Sequence, residues 1–128
     1  MPMNELRFTP SHCWVRPEGG EWVVGITDYA QEQMEELTFV ELPAAGERVS
    51  AEEEVAVVES VKAANEVYAP AAGTISAVND LLVEQPELVN QDAFGRGWLF
   101  RMAPDDPTDF ERLLDADAYE AGLPEEDD

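Results

Sequence analysis

Apolar residues in this chain come in short runs separated by turn-forming clusters, a pattern that predicts a mostly β protein with a few short helices. His12-Cys13-Trp14-Val15-Arg16 and Glu21-Trp22-Val23-Val24-Gly25-Ile26 are joined by Pro17-Glu18-Gly19-Gly20, which predicts a hairpin over residues 12–26. The period then changes. Thr27 suits a helix N-cap because its hydroxyl accepts an orphan backbone N–H, and Asp28 complements the positive helix end. Ala30, Met34 and Leu37 follow at i, i+4 and i+7, one apolar stripe, while Glu32, Glu35 and Glu36 take the solvated side.

Pro43-Ala44-Ala45-Gly46-Glu47-Arg48-Val49 recurs as Pro70-Ala71-Ala72-Gly73-Thr74-Ile75-Ser76. Each copy follows a strand-like run, Phe39-Val40-Glu41-Leu42 or Glu66-Val67-Tyr68-Ala69, and each glycine is placed as a turn needing positive φ would require. Two copies are too few for a solenoid, so a duplicated β-motif closing as a flattened barrel or sandwich is the expected solution. Gly97-Trp98-Leu99-Phe100-Arg101-Met102 predicts a last strand. Gly95-Arg96-Gly97 is not a nucleotide loop, because it lacks a third glycine and opens a strand where that fold needs a helix. Beyond Pro104-Asp105-Asp106-Pro107, a Thr108/Glu111 capping box with Phe110, Leu113, Leu114, Ala118 and Ala121 on one face predicts a C-terminal helix ending at Gly122.

At 128 residues the chain reads as one domain, with a core over about 5–122 and an acidic tail at 123–128. A single cysteine excludes an internal disulfide and suits a reducing compartment. The N-terminus lacks a signal-type apolar stretch and no run approaches a membrane span, so a cytoplasmic monomer is expected. There are 29 acidic residues against 7 Lys+Arg, a net charge of -22, which repels phosphate backbones and anionic lipid and excludes nucleic-acid and membrane-surface binding. Acid excess with almost no lysine is also a habit of proteins from salt-rich cytoplasm.

The exception to that bias is Lys62, the chain's only lysine. It lies between the strand-like runs Val57-Val58 and Val67-Tyr68, at the tip of a predicted hairpin and between the two repeat copies. Composition alone leaves open whether it is a chance survivor or an attachment point. One His and one Cys do not make a zinc site, and Glu52-Glu53-Glu54 lacks the ligand spacing of a calcium loop. His12 and Cys13 are adjacent, and adjacent strand residues face opposite ways, so a nucleophile–base pair is not expected and His12 reads as a structural hydrogen bonder. An exposed amine without a catalytic constellation describes a carrier, whose chemistry belongs to an attached cofactor and to partner enzymes.

Glu59-Ser60-Val61-Lys62-Ala63 resembles the lipoyl-lysine motif of the glycine cleavage H-protein family. The resemblance continues through Ser11-His12-Cys13-Trp14-Val15, Val24-Gly25-Ile26-Thr27, Phe39-Val40-Glu41-Leu42-Pro43, Tyr68-Ala69-Pro70, Pro86-Glu87-Leu88-Val89-Asn90 and Gly97-Trp98. It implies a lipoyl-domain-like barrel-sandwich hybrid with lipoic acid in amide linkage on Lys62, recognised through Glu59, Ser60, Val61 and Ala63. It further implies a carrier, not an enzyme, that takes an aminomethyl group from a pyridoxal-phosphate glycine decarboxylase to a tetrahydrofolate aminomethyltransferase. Its dithiol is reoxidised by an FAD-containing dihydrolipoyl dehydrogenase, and a lipoylating enzyme attaches the arm. Ser11, His12, Cys13 and Glu66 are the residues expected near that arm. The alternatives are a relay that passes lipoyl groups to other proteins, or an unmodified interaction module.

Two positions depart from the family's pattern. Cys13 stands where the family usually has Glu, which removes a charge-assisted hydrogen bond to the arm's amine unless Glu66 substitutes. Cys13 is then either a buried inert thiol or one that exchanges with the lipoyl disulfide. Glu35-Glu36 stands where the family usually turns with Gly and an acid, which either lengthens the helix or strains its C-cap.

Overall fold

The computed structural model describes residues 6–123, so the chain's acidic end at 124–128 lies outside the described residues. Two antiparallel sheets face each other. The larger contains β1 (Arg7–Phe8), β2 (Cys13–Glu18), β3 (Glu21–Ile26), β5 (Arg48–Val49), β8 (Gly73–Val78) and β9 (Phe100–Pro104), in the order β1-β2-β3-β9-β8-β5. The smaller contains β4 (Leu37–Glu41), β6 (Glu54–Ser60) and β7 (Ala64–Tyr68), in the order β4-β6-β7. The result is sandwich-like and not a closed barrel, in line with the expected mostly β hybrid.

The first hairpin forms as predicted but turns more tightly. Pro17 and Glu18 belong to β2, and only Gly19 and Gly20, at φ 62° and 84°, make the turn. Two consecutive positive φ values suit the right-handed twist of the flanking strands, and glycine adopts them without a Cβ penalty.

Both faces of this hairpin are buried, which is why its sequence reads as nearly continuous apolar runs. Val15, Val24 and Ile26 enter the main core with Ile75, Phe100 and Met102 of their own sheet and Val40, Ala56, Val58 and Val67 of the smaller one. Trp14 and Val23 point the other way, joining Leu6, Phe8 and Tyr119 in a second cluster. The fully buried Trp14 indole donates to the Ala93 carbonyl at 2.8 Å. Burial of roughly 200 Å² of aromatic surface there contributes about 5 kcal/mol. A Cβ at Gly25 would stand 2.7 Å from the Trp14 ring, so the glycine is what lets the indole lie flat on β3.

The Pro-Ala-Ala-Gly repeat has a direct structural meaning, because its two copies pair with each other. Arg48 is opposite Thr74 and Val49 opposite Gly73, and Gly46 N–H donates to Ile75 O at 2.7 Å. Gly46 has the expected positive φ, 93°, but Gly73 does not. Gly73 is instead required by close approach, since a Cβ there would meet the Ala103 carbonyl oxygen of β9.

Three further expectations need correction. The helix α1 spans Asp28–Met34 and stops there, so Leu37 is not its third apolar position but a buried residue of β4. The last strand starts at Phe100, not Gly97, because Gly97 is pressed against the backbone of α3 (Glu87–Gln91), the helix that follows the short α2 (Leu81–Glu84), and its Cβ would lie 2.7 Å from Val89 Cα. The C-terminal segment is two elements and not one helix. A 3-10 helix at Pro107–Arg112 is capped by Asp106, whose carboxylate accepts the Thr108 N–H at 3.1 Å, and α4 at Ala116–Ala121 is capped by Asp115. Between them Leu113 is extended and Leu114 pairs with Phe8 across β1, exchanging hydrogen bonds of 2.8 and 2.9 Å.

Candidate functional site

The hairpin β6–β7 places Lys62 at its tip, with Glu59 paired to Ala64 and Val58 to Asn65 below it. Ser60 shapes the tip. Its N–H donates to Ala63 O at 2.8 Å, and its hydroxyl accepts the Lys62 N–H at 3.2 Å and the Ala63 N–H at 3.3 Å. A short hydroxyl side chain is suited to satisfying turn amides in this way. Val61 is 90% exposed and the Lys62 side chain 63% exposed. The amine therefore stands in solvent, within reach of a modifying enzyme, and its Nζ lies 3.0 Å from Glu35 Oε2.

Beside the tip runs a cleft of about 460 Å³. One wall is α1, through Tyr29, Ala30, Gln33 and Met34, and the other is β6–β7, through Val58, Asn65 and Val67. Ser11, His12, Cys13, Glu66 and Tyr68 also line it, so the structure brings all four expected arm residues to one place. A larger cavity, about 640 Å³, lies on the far side of Ser11 and Tyr68. It is the smaller cleft that bears on the chemistry, because α1 and the lysine-bearing hairpin form its walls.

The adjacency reasoning for His12 and Cys13 does not apply as stated, since β2 begins at Cys13 and His12 precedes it at φ 74°. Both residues border the cleft, yet their polar atoms find different partners. His12 Nδ1 pairs with the Tyr119 hydroxyl at 2.8 Å, as a structural hydrogen bonder would. Burial holds its imidazole below the ordinary value of 6.5. The Cys13 thiol is buried, faces the Tyr68 carbonyl at 3.9 Å, and is pushed up to about 11 by desolvation. Tyr68 donates to Glu66 Oε1 at 3.5 Å, and the Glu66 charge raises the phenol above its usual range.

Several contributors were not singled out from sequence. Tyr119 reaches His12 from α4, across most of the chain, and no local pattern announces such a contact. Glu35 departs from the family's pattern, and of the two outcomes open for it the structure shows the strained cap. It ends α1 at φ 66°, ψ -153°. Asn90 of α3 holds this turn, with Nδ2 donating to Glu35 O at 2.7 Å and to Gln31 Oε1 at 2.8 Å, while its Oδ1 accepts the Leu37 N–H at 2.9 Å.

Comparison with known proteins decides which of the carrier families this is. Residues 6–126 match the family model described as Glycine cleavage H-protein. The chain belongs to the glycine cleavage H-protein family. It is 50% identical over 124 residues to the glycine cleavage system H protein of Shewanella sp. (strain W3-18-1), covering 96% of each chain. It is 52% identical over 124 residues to that of Pseudoalteromonas atlantica (strain T6c / ATCC BAA-1087), again with 96% of each covered. The crystal structure of a glycine cleavage system H protein from Mycobacterium marinum superposes with a TM-score of 0.85 at 37% identity, over 96% of this chain and 100% of that one. H proteins are lipoate carriers that work with the other components of the glycine cleavage system, and they are not themselves enzymes. Among the described residues, no helix is long and apolar enough to cross a membrane.

Proposed function

We propose that Lys62 carries lipoic acid in amide linkage and that the chain shuttles the aminomethyl group of glycine between a pyridoxal-phosphate decarboxylase and a tetrahydrofolate aminomethyltransferase. Electrons then pass to an FAD-dependent dihydrolipoyl dehydrogenase. The observation that carries this reading is the placement of the chain's only lysine on an exposed, Ser60-organised tip beside a cleft. When bound, the group supplies a disulfide that accepts a one-carbon amine fragment and two electrons.

The chain's own residues supply attachment, presentation and a place for the arm's cationic end. Lys62 provides the amide nitrogen, and Ser60 fixes the turn that carries it by accepting the Lys62 and Ala63 backbone N–H groups. Val61 and Ala63 leave it uncrowded, and with Glu59 they form the segment a lipoylating enzyme would read. Cys13 is protonated at neutral pH and contributes no charge to the cleft. Glu66 is the acidic residue bordering the cleft, its carboxylate accepting the Tyr68 hydroxyl at 3.5 Å, and is the residue we assign to the ammonium. Cys13 serves as packing and not as an exchanging thiol, since a thiol near 11 has about one molecule in ten thousand as thiolate at pH 7.

Intact-mass measurement on protein from its native source tests this directly. The mass of one lipoyl amide is expected, lost in Lys62→Arg because a guanidinium does not form that amide. An unmodified mass would overturn the carrier reading. Glycine–bicarbonate exchange with the decarboxylase, present with the modified chain and absent without it, would separate an aminomethyl carrier from a lipoyl relay.

A further inference from the structure

The two walls of the cleft touch at the end nearest the tip. Asn65 Nδ2 of β7 donates to Met34 Sδ of α1 at 2.7 Å. One residue beyond Met34, the Glu35 carboxylate meets the Lys62 ammonium at 3.0 Å, so the seam begun by Met34 and Asn65 continues outward as an ion pair. This pair joins the C-terminus of α1 to the β6–β7 tip. It is made by a glutamate whose backbone sits at φ 66°, ψ -153°, a region that glycine alone occupies without strain.

We propose that Glu35 is a positioning residue for Lys62: it holds the unmodified amine as a strap across the tip end of the cleft, and acylation of Nζ releases that strap. When an activated carboxylic acid reacts, the Nζ ammonium gives up one proton to solvent to become the attacking amine, bonds to the carbonyl carbon, and releases a second proton to solvent as the amide forms. The leaving group departs with its electron pair. The amide nitrogen that results carries no positive charge, so the interaction with Glu35 falls from an ion pair to, at best, a single N–H hydrogen bond to the carboxylate, without the attraction between two opposite charges. Unmodified and acylated chains then differ at the same two places, the C-cap of α1 and the tip. An enzyme that attaches the arm meets a tip drawn toward α1, whereas enzymes that use the arm meet a tip free of it. The carrier reading enters only in naming lipoate as the acyl group.

The lone lysine makes the test clean, because the succinimidyl ester of octanoic acid has only Lys62 and the α-amine to acylate. Lys62→Arg, treated identically, controls for the α-amine and keeps a cation at the tip. Amide hydrogen exchange is followed by NMR at low ionic strength, since exposed pairs are screened by salt. The reporters are Glu35 N–H, bonded to Gln31 O at 3.0 Å, and Ser60 N–H, bonded to Ala63 O at 2.8 Å. Acylation is expected to speed exchange at both by about two- to fivefold, the range open to an exposed ion pair. Unmodified Glu35→Gln should match the acylated protein, acylating it should add nothing, and treated Lys62→Arg should stay slow. Unchanged exchange on acylation would overturn the proposal, as would an equal acceleration in Glu35→Gln. The carrier reading fails on a different measurement, the native mass, and these exchange results stand whatever that mass is.

Discussion

The Tyr119 hydroxyl lies 2.8 Å from His12 Nδ1 and 2.8 Å from Thr27 Oγ1, so one phenol of the C-terminal helix ties together the cleft's histidine and the N-cap of its helical wall. Thr27 Oγ1 already accepts the Ala30 N–H at 3.2 Å, so its proton is available to the phenol. The ring stacks on Phe8 with centroids 4.7 Å apart. Tyr119→Phe keeps that stacking and removes only the two hydrogen bonds, leaving Thr27 and His12 short of a partner. Urea denaturation should show a loss of about 1–3 kcal/mol, against about 3–5 kcal/mol for Tyr119→Ala, which also opens a cavity. Equal losses for the two would mean the hydroxyl contributes nothing.

His12 gives this arrangement a pH dependence. Burial lowers its folded-state value below 6.5, so near that pH the unfolded chain binds more protons than the folded one. The associated stability is complete above 6.5 and is lost as pH falls below it, until the folded imidazole protonates as well. Wild type should therefore lose stability relative to His12→Gln between pH 7.5 and 5.5, read as a falling difference in urea midpoint. Parallel curves for the two proteins would remove His12 as the titrating group.

Cys13 should be slow to alkylate. A buried thiol pushed up to about 11 offers iodoacetamide almost no thiolate at pH 8, whereas the unfolded chain offers an ordinary one. Labelling is expected to be at least tenfold slower in the native protein than in urea. Equal rates would reopen exchange with a disulfide-bearing arm.

What sequence revealed of this molecule follows the range of the forces involved. The hairpins, the Thr27 cap and the Lys62 tip are legible because turn chemistry and capping act over a few residues. The Pro-Ala-Ala-Gly repeat was visible, but that its copies pair as β5 and β8 depends on folding across the whole β6–β7 hairpin. The C-terminal segment is ambiguous in sequence because Thr108 and Glu111 have the capping-box spacing, while Asp106 two residues earlier captures the Thr108 amide first. Ser11, His12, Cys13 and Glu66 were grouped by family resemblance, and the cleft that unites them is tertiary. Glu35 stood out as a departure, yet its partner lies 27 residues away across the cleft.

Glu35 also supports a prediction that runs against the usual cost of glycine. Its φ of 66° and ψ of -153° cost a non-glycine residue about 1–3 kcal/mol, and such strain persists only where surrounding contacts enforce it. Asn90 supplies those contacts through its bonds to Glu35 O, Gln31 Oε1 and Leu37 N–H. Glu35→Gly relieves the strain while giving up an exposed ion pair worth at most about 1 kcal/mol and adding a few tenths of unfolded-chain entropy. The net change in urea denaturation is expected to be a gain of about 1 kcal/mol. Glu35→Ala keeps the strained backbone and loses the pair, so it should be neutral or slightly destabilising. Asn90→Ala should cost about 2–3 kcal/mol in the parent chain, because it leaves the Leu37 N–H and the Glu35 carbonyl without their partner. Part of that cost should return when Asn90→Ala is combined with Glu35→Gly, since the turn no longer needs forcing. Strict additivity of the two substitutions would show that Asn90 does not enforce the Glu35 conformation.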